Sequence, residues 1–338
     1  MLKAIEPMNN TLQQIIFQAM NTTVEIAFWG QKEQVPSIER RAHDWFEQVE
    51  MSFSRFRPQS ELSRLNRFPG RRSTVSAPML EILLLAEKYH QLTQGIFDPL
   101  IGKALQDSGY NESYEIVKER EQWELAPDIA IIQNKNKAGQ AAFQDRVLSS
   151  TLPRRKQKIQ IDLLSKSVQI PVQTEIDLGG IAKSWAVKGL AEQLHGRLGF
   201  ERGLINAGGD LTVWGNSGAD ADPWLIGIEN PWAPEDEIGI LSLSDGAVAT
   251  SSKLGRTWAS KQGKMHHLID PRTMAPSTSD VVQCTVSGND VVACEIWAKV
   301  ICILGREQGL DLFSRWTTGY EAFVFTEERR CYKWRSSS

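Results

Sequence analysis

The chain has 338 residues, 38 Lys plus Arg against 41 Asp plus Glu, and a net charge of −3. That balance excludes the basic excess of a nucleic-acid-binding or polybasic membrane-binding protein. No apolar run reaches the roughly 20 residues of a membrane span: the best, 291–304, is shorter and carries two charges. With 41% hydrophobic and 23% charged residues, the composition is globular and not disordered, and the length suits one large domain or two ordinary ones.

In chain order, residues 1–16 read as an N-terminal tail without the apolar core and small cleavage residues of a signal peptide, so the cytosol is the expected compartment. Residues 22–29 (TTVEIAFW) alternate and are β-rich, which predicts a strand. Residues 37–49 and 78–92 have helical apolar spacing, and between them lies a polar, Arg-rich loop, FSRFRPQSELSRLNR. From 107 to 168 the chain turns polar and irregular, with a basic cluster at Arg154, Arg155, Lys156 and Lys158; this reads as a loop-rich insert or connection. A strand pair is expected over 168–177, then a helix over 181–194. Further strands are expected at 203–206, 224–229, 238–243, 248–250 and 281–286, then a helix over 290–304, a short helix and a closing strand near 320–325. Strand stretches with helices inserted between them predict α+β, a mixed or antiparallel sheet in one integrated domain, with room for two lobes around a cleft. Cys284, Cys294, Cys302 and Cys331 form no CxxC pair and are expected to be buried free thiols.

Four segments carry chemistry. In IDLGGIAKSWAV, a strand ends at Asp177, Gly179 and Gly180 turn the chain, and a helix begins; backbone N–H groups, the helix dipole and Lys183 together suit a phosphate. In INAGGDL, Asn206, Gly208, Gly209 and Asp210 fit either close approach of a polar ligand or a β-hairpin turn. In HHLIDPRT, His267 is a candidate general base, and Asp270, which begins a turn with Pro271 behind it, is a catalytic candidate beside it, as is Lys183 of the preceding motif. No third His or Cys accompanies the pair, which argues against zinc. On the apolar helix over 289–305, Glu295 and Lys299 are the only charges after the cap, four residues apart on one face; on a buried helix such a pair is costly unless it pairs internally or lines a polar site.

In this order the motifs resemble the ApbE family of FAD:protein FMN transferases over roughly residues 17–332, so that 17–334 is expected to form one ApbE-like, T-fold-like domain. Met20-Asn21-Thr22 resembles that family's opening Met-Gly-Thr. FSRFRPQSELSRLN resembles its flavin-side loop and GIFDPLIG its Gly-x-Phe-Asp-Pro stretch. IDLGGIAKSWAV, INAGGDL, VATSS and HHLIDPRT follow in family order. The resemblance implies an enzyme that cleaves the pyrophosphate of FAD, joins FMN by a phosphoester to a Thr or Ser hydroxyl of an acceptor flavoprotein, and releases AMP, with Mg²⁺ bridging the phosphates. By position it implies Met20, Phe56, Ile96, Phe97, Asp98, Asp177, Lys183 and Ile269 beside FAD, and the Gly180 carbonyl as a backbone metal ligand.

Departures from the family are visible. Asn21 replaces a Gly, Ser252 stands where ATSG has Gly, and Met274 replaces the Gly after DPRT. The family's carboxylate-x-x-x-Thr or carboxylate-x-x-x-Asp metal pair is here Glu295 and Lys299. A charged Lys cannot ligate Mg²⁺ but can take its place as a built-in cation. The alternatives are a family member that binds FAD without transfer, acting as a flavin carrier, and an FAD pyrophosphatase in which water replaces the acceptor hydroxyl. A scaffold without ligand is disfavoured by the retained Asp177, Lys183, Asp210, His267 and Asp270.

Overall fold

The computed structural model describes residues 10–117, 158–215, 222–260 and 263–337. Its centre is an eight-stranded, wholly antiparallel sheet whose strands lie side by side in chain order: β1 (Thr11–Ala19), β2 (Thr22–Gly30), β3 (Gly203–Ala207), β4 (Asp210–Trp214), β5 (Gly246–Ser252), β6 (Val281–Gly288), β7 (Glu321–Thr326) and β8 (Cys331–Arg335). Helices are inserted between these strands, as the α+β expectation requires.

Helix α1 (Val35–Phe53) buries Ile38, Ala42, Phe46, Val49 and Phe53, spaced three or four residues apart on one face. It is followed by α2 (Glu61–Arg67), α3 (Ala77–Leu92) and α4 (Gly102–Asp107). Helix α5 (Ala182–Ala191) packs on β3 and β4, and α6 (Val291–Leu304) packs on β5 and β6. Helix α6 is apolar nearly all round and buried over most of its length, capped by Asp290, whose Oδ1 accepts from the Ala293 N–H at 2.9 Å. Each fully buried large side chain of this layer, such as Trp297 of α6 or Phe313 of α7 (Arg306–Trp316), contributes about 1.5–3 kcal/mol relative to exposure. The opposite sheet face carries a smaller cluster in which Leu211, Val213, Val248, Val282 and Phe325 meet Ile228 and Leu241 of the hairpin formed by Trp224–Asn230 and Ala233–Leu243.

Several expectations change. Residues 11–16, read as tail, are the first half of β1. The Arg-rich loop contains α2, whose N-cap Ser60 accepts from the Ser63 N–H at 3.0 Å. The expected strand pair over 168–177 reduces to Ser167–Gln169, which pairs with Arg72–Thr74 and Gln160–Asp162; 170–177 is not a strand. Of the 107–168 insert, residues 118–157, with Arg154, Arg155 and Lys156, lie outside the described residues. Cys284, Cys294 and Cys302 are buried free thiols, but Cys331 is exposed on β8, at the edge of the sheet. No helix among the described residues is long and apolar enough to cross a membrane.

At two of the three positions where the family has glycine, Asn21 and Met274, the backbone is left-handed; Ser252 is the last residue of strand β5. Met20 and Asn21 form the two-residue β1–β2 turn with φ of +51° and +57°, and Met274 has φ of +57°. Asn tolerates this left-handed region; Met does so at a cost of about 1 kcal/mol or more, a strain that recurs at ligand sites. The Met20 N–H is fixed by the Glu50 carboxylate at 2.8 Å.

Candidate active site

One cavity of about 330 Å³ gathers the ends of these elements. Its lining combines apolar side chains, among them Phe53, Phe56, Ile96, Phe97, Tyr110 and Ile269, with charged ones. Arg55, Arg57, Lys183, Arg256 and Lys299 line it against Glu50, Asp98 and Asp177, so the lining is net basic although the whole chain is acidic. Aromatic and apolar side chains in one cavity with these cations suit a ring joined to phosphates.

The charged wall is built by long-range backbone ties. Helix α1 ends at Ser54, which delivers Arg55 and Phe56 to the cavity. The Asn66 side chain on α2 bonds both the N–H and the C=O of Ile176 at 2.8 Å, and the Asp177 N–H donates to the Pro99 carbonyl at 2.8 Å. These bonds set Asp177 against Arg55, whose Nε donates to Asp177 Oδ2 at 2.7 Å; Arg55 also donates to the Tyr110 carbonyl at 2.6 Å and stacks over the Phe56 ring at 4.2 Å. Asp98 Oδ1 accepts from the Leu100 N–H at 2.8 Å, which holds the GIFDP turn at the cavity rim.

The turn after Asp177 behaves differently from the expected phosphate cradle. Three of the four N–H groups over 179–182 are already bonded: Gly179 to Asp177 Oδ1, and Ile181 and Ala182 to the Leu178 carbonyl. The positive charge therefore comes chiefly from side chains. Lys183, in the first turn of α5, forms a short ion pair with Asp210 at the start of β4. Asp210 is 1% exposed, and its pKa is raised, first by burial and then by Glu295, with Lys183 opposing the shift. Ser184 Oγ donates to Glu295 Oε2 at 2.5 Å, while Lys299 Nζ stands 3.9 Å from Glu295 Oε1.

His266 and His267 divide their roles. Nδ1 of His266 accepts from the Leu268 N–H at 3.2 Å and Nε2 lies 3.0 Å from the Ser277 carbonyl, so His266 is held as part of the turn. His267 lines the cavity and has a hydrogen bond with the Arg256 backbone. Its Nδ1, shielded from bulk water, has no hydrogen-bond partner among the described residues. Burial first, and then Arg256, Lys299 and His266, push its pKa well below 6.5, which keeps the ring neutral. A neutral imidazole with a free nitrogen is the form a general base requires.

Of the residues singled out in the sequence, Met20, Phe56, Ile96, Phe97, Asp98, Asp177, Gly180, Lys183, His267, Ile269 and Lys299 line the cavity. Asn206, Gly208, Gly209, Asp210, Asp270 and Glu295 do not. Gly208 and Gly209, with φ of +60° and +90°, are the β3–β4 hairpin turn, and Asn206 Oδ1 accepts from the Gly209 N–H at 2.9 Å. Asp270, a candidate catalytic group, instead binds Arg272 through both carboxylate oxygens and shapes its own turn. Asp210 and Glu295 act behind the wall, on Lys183 and Lys299. Arg55, Arg256 and Ser184 went unnoticed; the one available signal was the Arg-Phe-Arg run at 55–57 directly after a helix.

The hairpin reading of INAGGDL gives a direct expectation. A Cβ on Gly208 would collide with Thr22 Oγ1 in a left-handed backbone, so Gly208→Ala should cost about 1–3 kcal/mol. Gly209→Ala, with nothing within 4 Å, should cost less. Thermal unfolding of the two variants checks the order.

Among the described residues, no three His, Cys, Asp or Glu groups are placed to hold a metal ion. The expected magnesium ligands fit the ion poorly: both Glu295 oxygens face other groups, and the second position on α6 is an ammonium.

The ApbE family model matches residues 20–324. An FAD:protein FMN transferase of Klebsiella pneumoniae (strain 342) is 26% identical over 262 residues, covering 75% of this chain and 71% of that protein. One from Rhodobacter capsulatus is 26% identical over 307 residues, covering 86% of this chain and 51% of the other. The solved structure of the ApbE protein from Thermotoga maritima superposes with a TM-score of 0.76 at 22% identity, covering 96% of this chain and 97% of that one. The flavin transferase ApbE from Vibrio cholerae gives 0.73 at 22% identity, with 97% and 98% covered. At such identities the structures speak for the fold, and the family match, which spans strands β2 to β6 of the sheet and the whole cavity lining, makes this chain a member of the ApbE family.

Proposed function

We propose that this chain is an FAD:protein FMN transferase: it binds FAD in the described cavity and moves FMN to a Ser or Thr hydroxyl of an acceptor flavoprotein. The observation that carries the reading is the gathering, in one cavity lining, of aromatic and apolar side chains with Lys183, Lys299 and His267, whose buried Nδ1 has no hydrogen-bond partner among the described residues. In this reading the flavin ring rests along Phe56, Ile96, Phe97 and Ile269, and the pyrophosphate faces Lys183. The acceptor oxygen attacks the FMN-side phosphorus and its proton passes to His267 Nδ1. The bond from that phosphorus to the bridging oxygen breaks, and AMP leaves with the bridging oxygen. Charge that builds on the phosphoryl oxygens meets cations already in place.

The test is to incubate the chain with FAD and a candidate acceptor flavoprotein, measuring AMP by chromatography and covalent flavin by fluorescence on a denaturing gel. AMP released in step with labelled acceptor is the expected result. AMP without labelled acceptor would make the chain a pyrophosphatase, and tight FAD binding without AMP a flavin carrier.

A further inference from the structure

The Glu295/Lys299 pair has a consequence for how this chain handles the pyrophosphate. Helix α6 presents Lys299 to the cavity beside Gly180 of the turn before α5, so close that a Cβ on Gly180 would collide with Nζ. The ammonium thus stands against the residue whose carbonyl the family resemblance offers to a metal ion. Its anchor is Glu295, 4% exposed, 3.9 Å away and one turn earlier on the same helix. Of the carboxylates lining the cavity, Asp177 has Arg55, Glu50 has Arg57, and Asp98 accepts from the Leu100 N–H with His90 Nδ1 4.0 Å away; behind the wall, Asp210 has Lys183. Among the described residues, a divalent ion entering beside Gly180 would meet a positive charge and no carboxylate without a partner. A phosphate oxygen would meet the same charge with up to three N–H donors.

We infer that Lys299 is this chain's resident counter-charge for the dinucleotide pyrophosphate, so that FAD is bound and FMN transferred without a divalent cation. The inference rests on the flavin-transfer reading and adds to it the means of charge neutralisation. Burial depresses the Lys299 pKa and the nearby Lys183 adds to the depression, while the Glu295, Asp210 and Asp177 carboxylates oppose it. The group transfer stays balanced as written above, because Lys299 supplies charge and hydrogen bonds and takes no part in bond exchange.

The test is calorimetric titration of the chain with FAD, and separately with ADP as a probe of the pyrophosphate subsite, in EDTA and again in Mg²⁺. The expected result is an FAD affinity equal within about twofold in the two buffers. Lys299→Gln should weaken both ligands by about tenfold to a hundredfold, the loss of one charge-assisted hydrogen bond. AMP release with acceptor should persist in EDTA. FAD binding that needs Mg²⁺, or a folded Lys299→Gln that binds like the wild type, overturns the inference alone and leaves flavin transfer standing. ADP binding that is metal-free and Lys299-dependent, with no FAD binding, overturns the flavin reading and keeps the counter-charge. Binding of neither nucleotide overturns both. If Lys299→Gln does not fold, titration of the wild type with Mn²⁺ followed by electron paramagnetic resonance decides: with FAD present, Mn²⁺ should remain free, and an ion bound together with FAD overturns the inference.

Discussion

Replacing His267 with Gln is expected to slow FMN transfer by about 10²–10⁴-fold while FAD affinity stays within about threefold. The asymmetry follows from where the imidazole sits. It lines the cavity, but its one free nitrogen, Nδ1, has no partner among the described residues, so it contributes little until an acceptor hydroxyl arrives. The cations that hold the pyrophosphate, Lys183 and Lys299, are untouched by the change. Single-turnover transfer and calorimetry, run in parallel, separate the two effects. An equal loss in binding and rate would move His267 from proton acceptor to binding group.

The pH profile checks the same assignment by sign. A base works unprotonated, and the surroundings hold the His267 pKa well below 6.5, chiefly through burial. The profile of kcat/KM, which reports the free enzyme, should therefore stay flat as pH falls from about 8 through 6.5 and drop only at lower pH. The profile of kcat should bend at a higher pH, because the bound pyrophosphate stabilises an imidazolium. A kcat/KM that is already halved at pH 6.5 would contradict the base role in this environment.

How far the sequence leads depends on whether a feature is local. Helix α6 was legible because nearly every position from Val291 to Leu304 is apolar, so Glu295 and Lys299 stand out as charges that a buried helix has to accommodate. The cavity residues in short quoted motifs, from Met20 to Ile269, were legible through motif order. Arg55 meets Asp177 across 122 residues, and Ser184 meets Glu295 across 111, and no spacing rule connects such pairs. Gly208, Gly209 and Asp270 show the converse: the residues that admit a ligand are also those that make a tight turn, and here the turn uses them. Strand β1 was missed because IIF breaks its alternation and its turn, Met20-Asn21, has no glycine to announce it.

The second large effect is expected at the Lys183–Asp210 ion pair, and it falls on stability as well as on binding. Side-chain exposure is 14% for Lys183 and 1% for Asp210, so Asp210 has no water to fall back on and Lys183 reaches it only through the cavity. Lys183→Met should cost about 3–5 kcal/mol by leaving Asp210 buried without its cation, and Asp210→Asn should strand Lys183 beside Lys299 at a comparable cost. Removing both partners, as in Lys183→Met with Asp210→Asn, should recover at least about 2 kcal/mol of the summed losses. Denaturant unfolding of the four proteins gives the coupling, and strictly additive losses would show that the pair is not a unit. The pH dependence of Lys183→Met carries its own sign. Burial and Glu295 already raise the Asp210 pKa above its ordinary 3.8, and without Lys183 nothing opposes them as strongly. The folded variant then binds the proton more tightly than the folded wild type, so its deficit relative to wild type should shrink as pH falls from the variant's raised pKa to the wild-type value of about 6, and stay level below it. FAD binding should not return with the stability, because protonating Asp210 repairs the buried charge and leaves the pyrophosphate without its lysine.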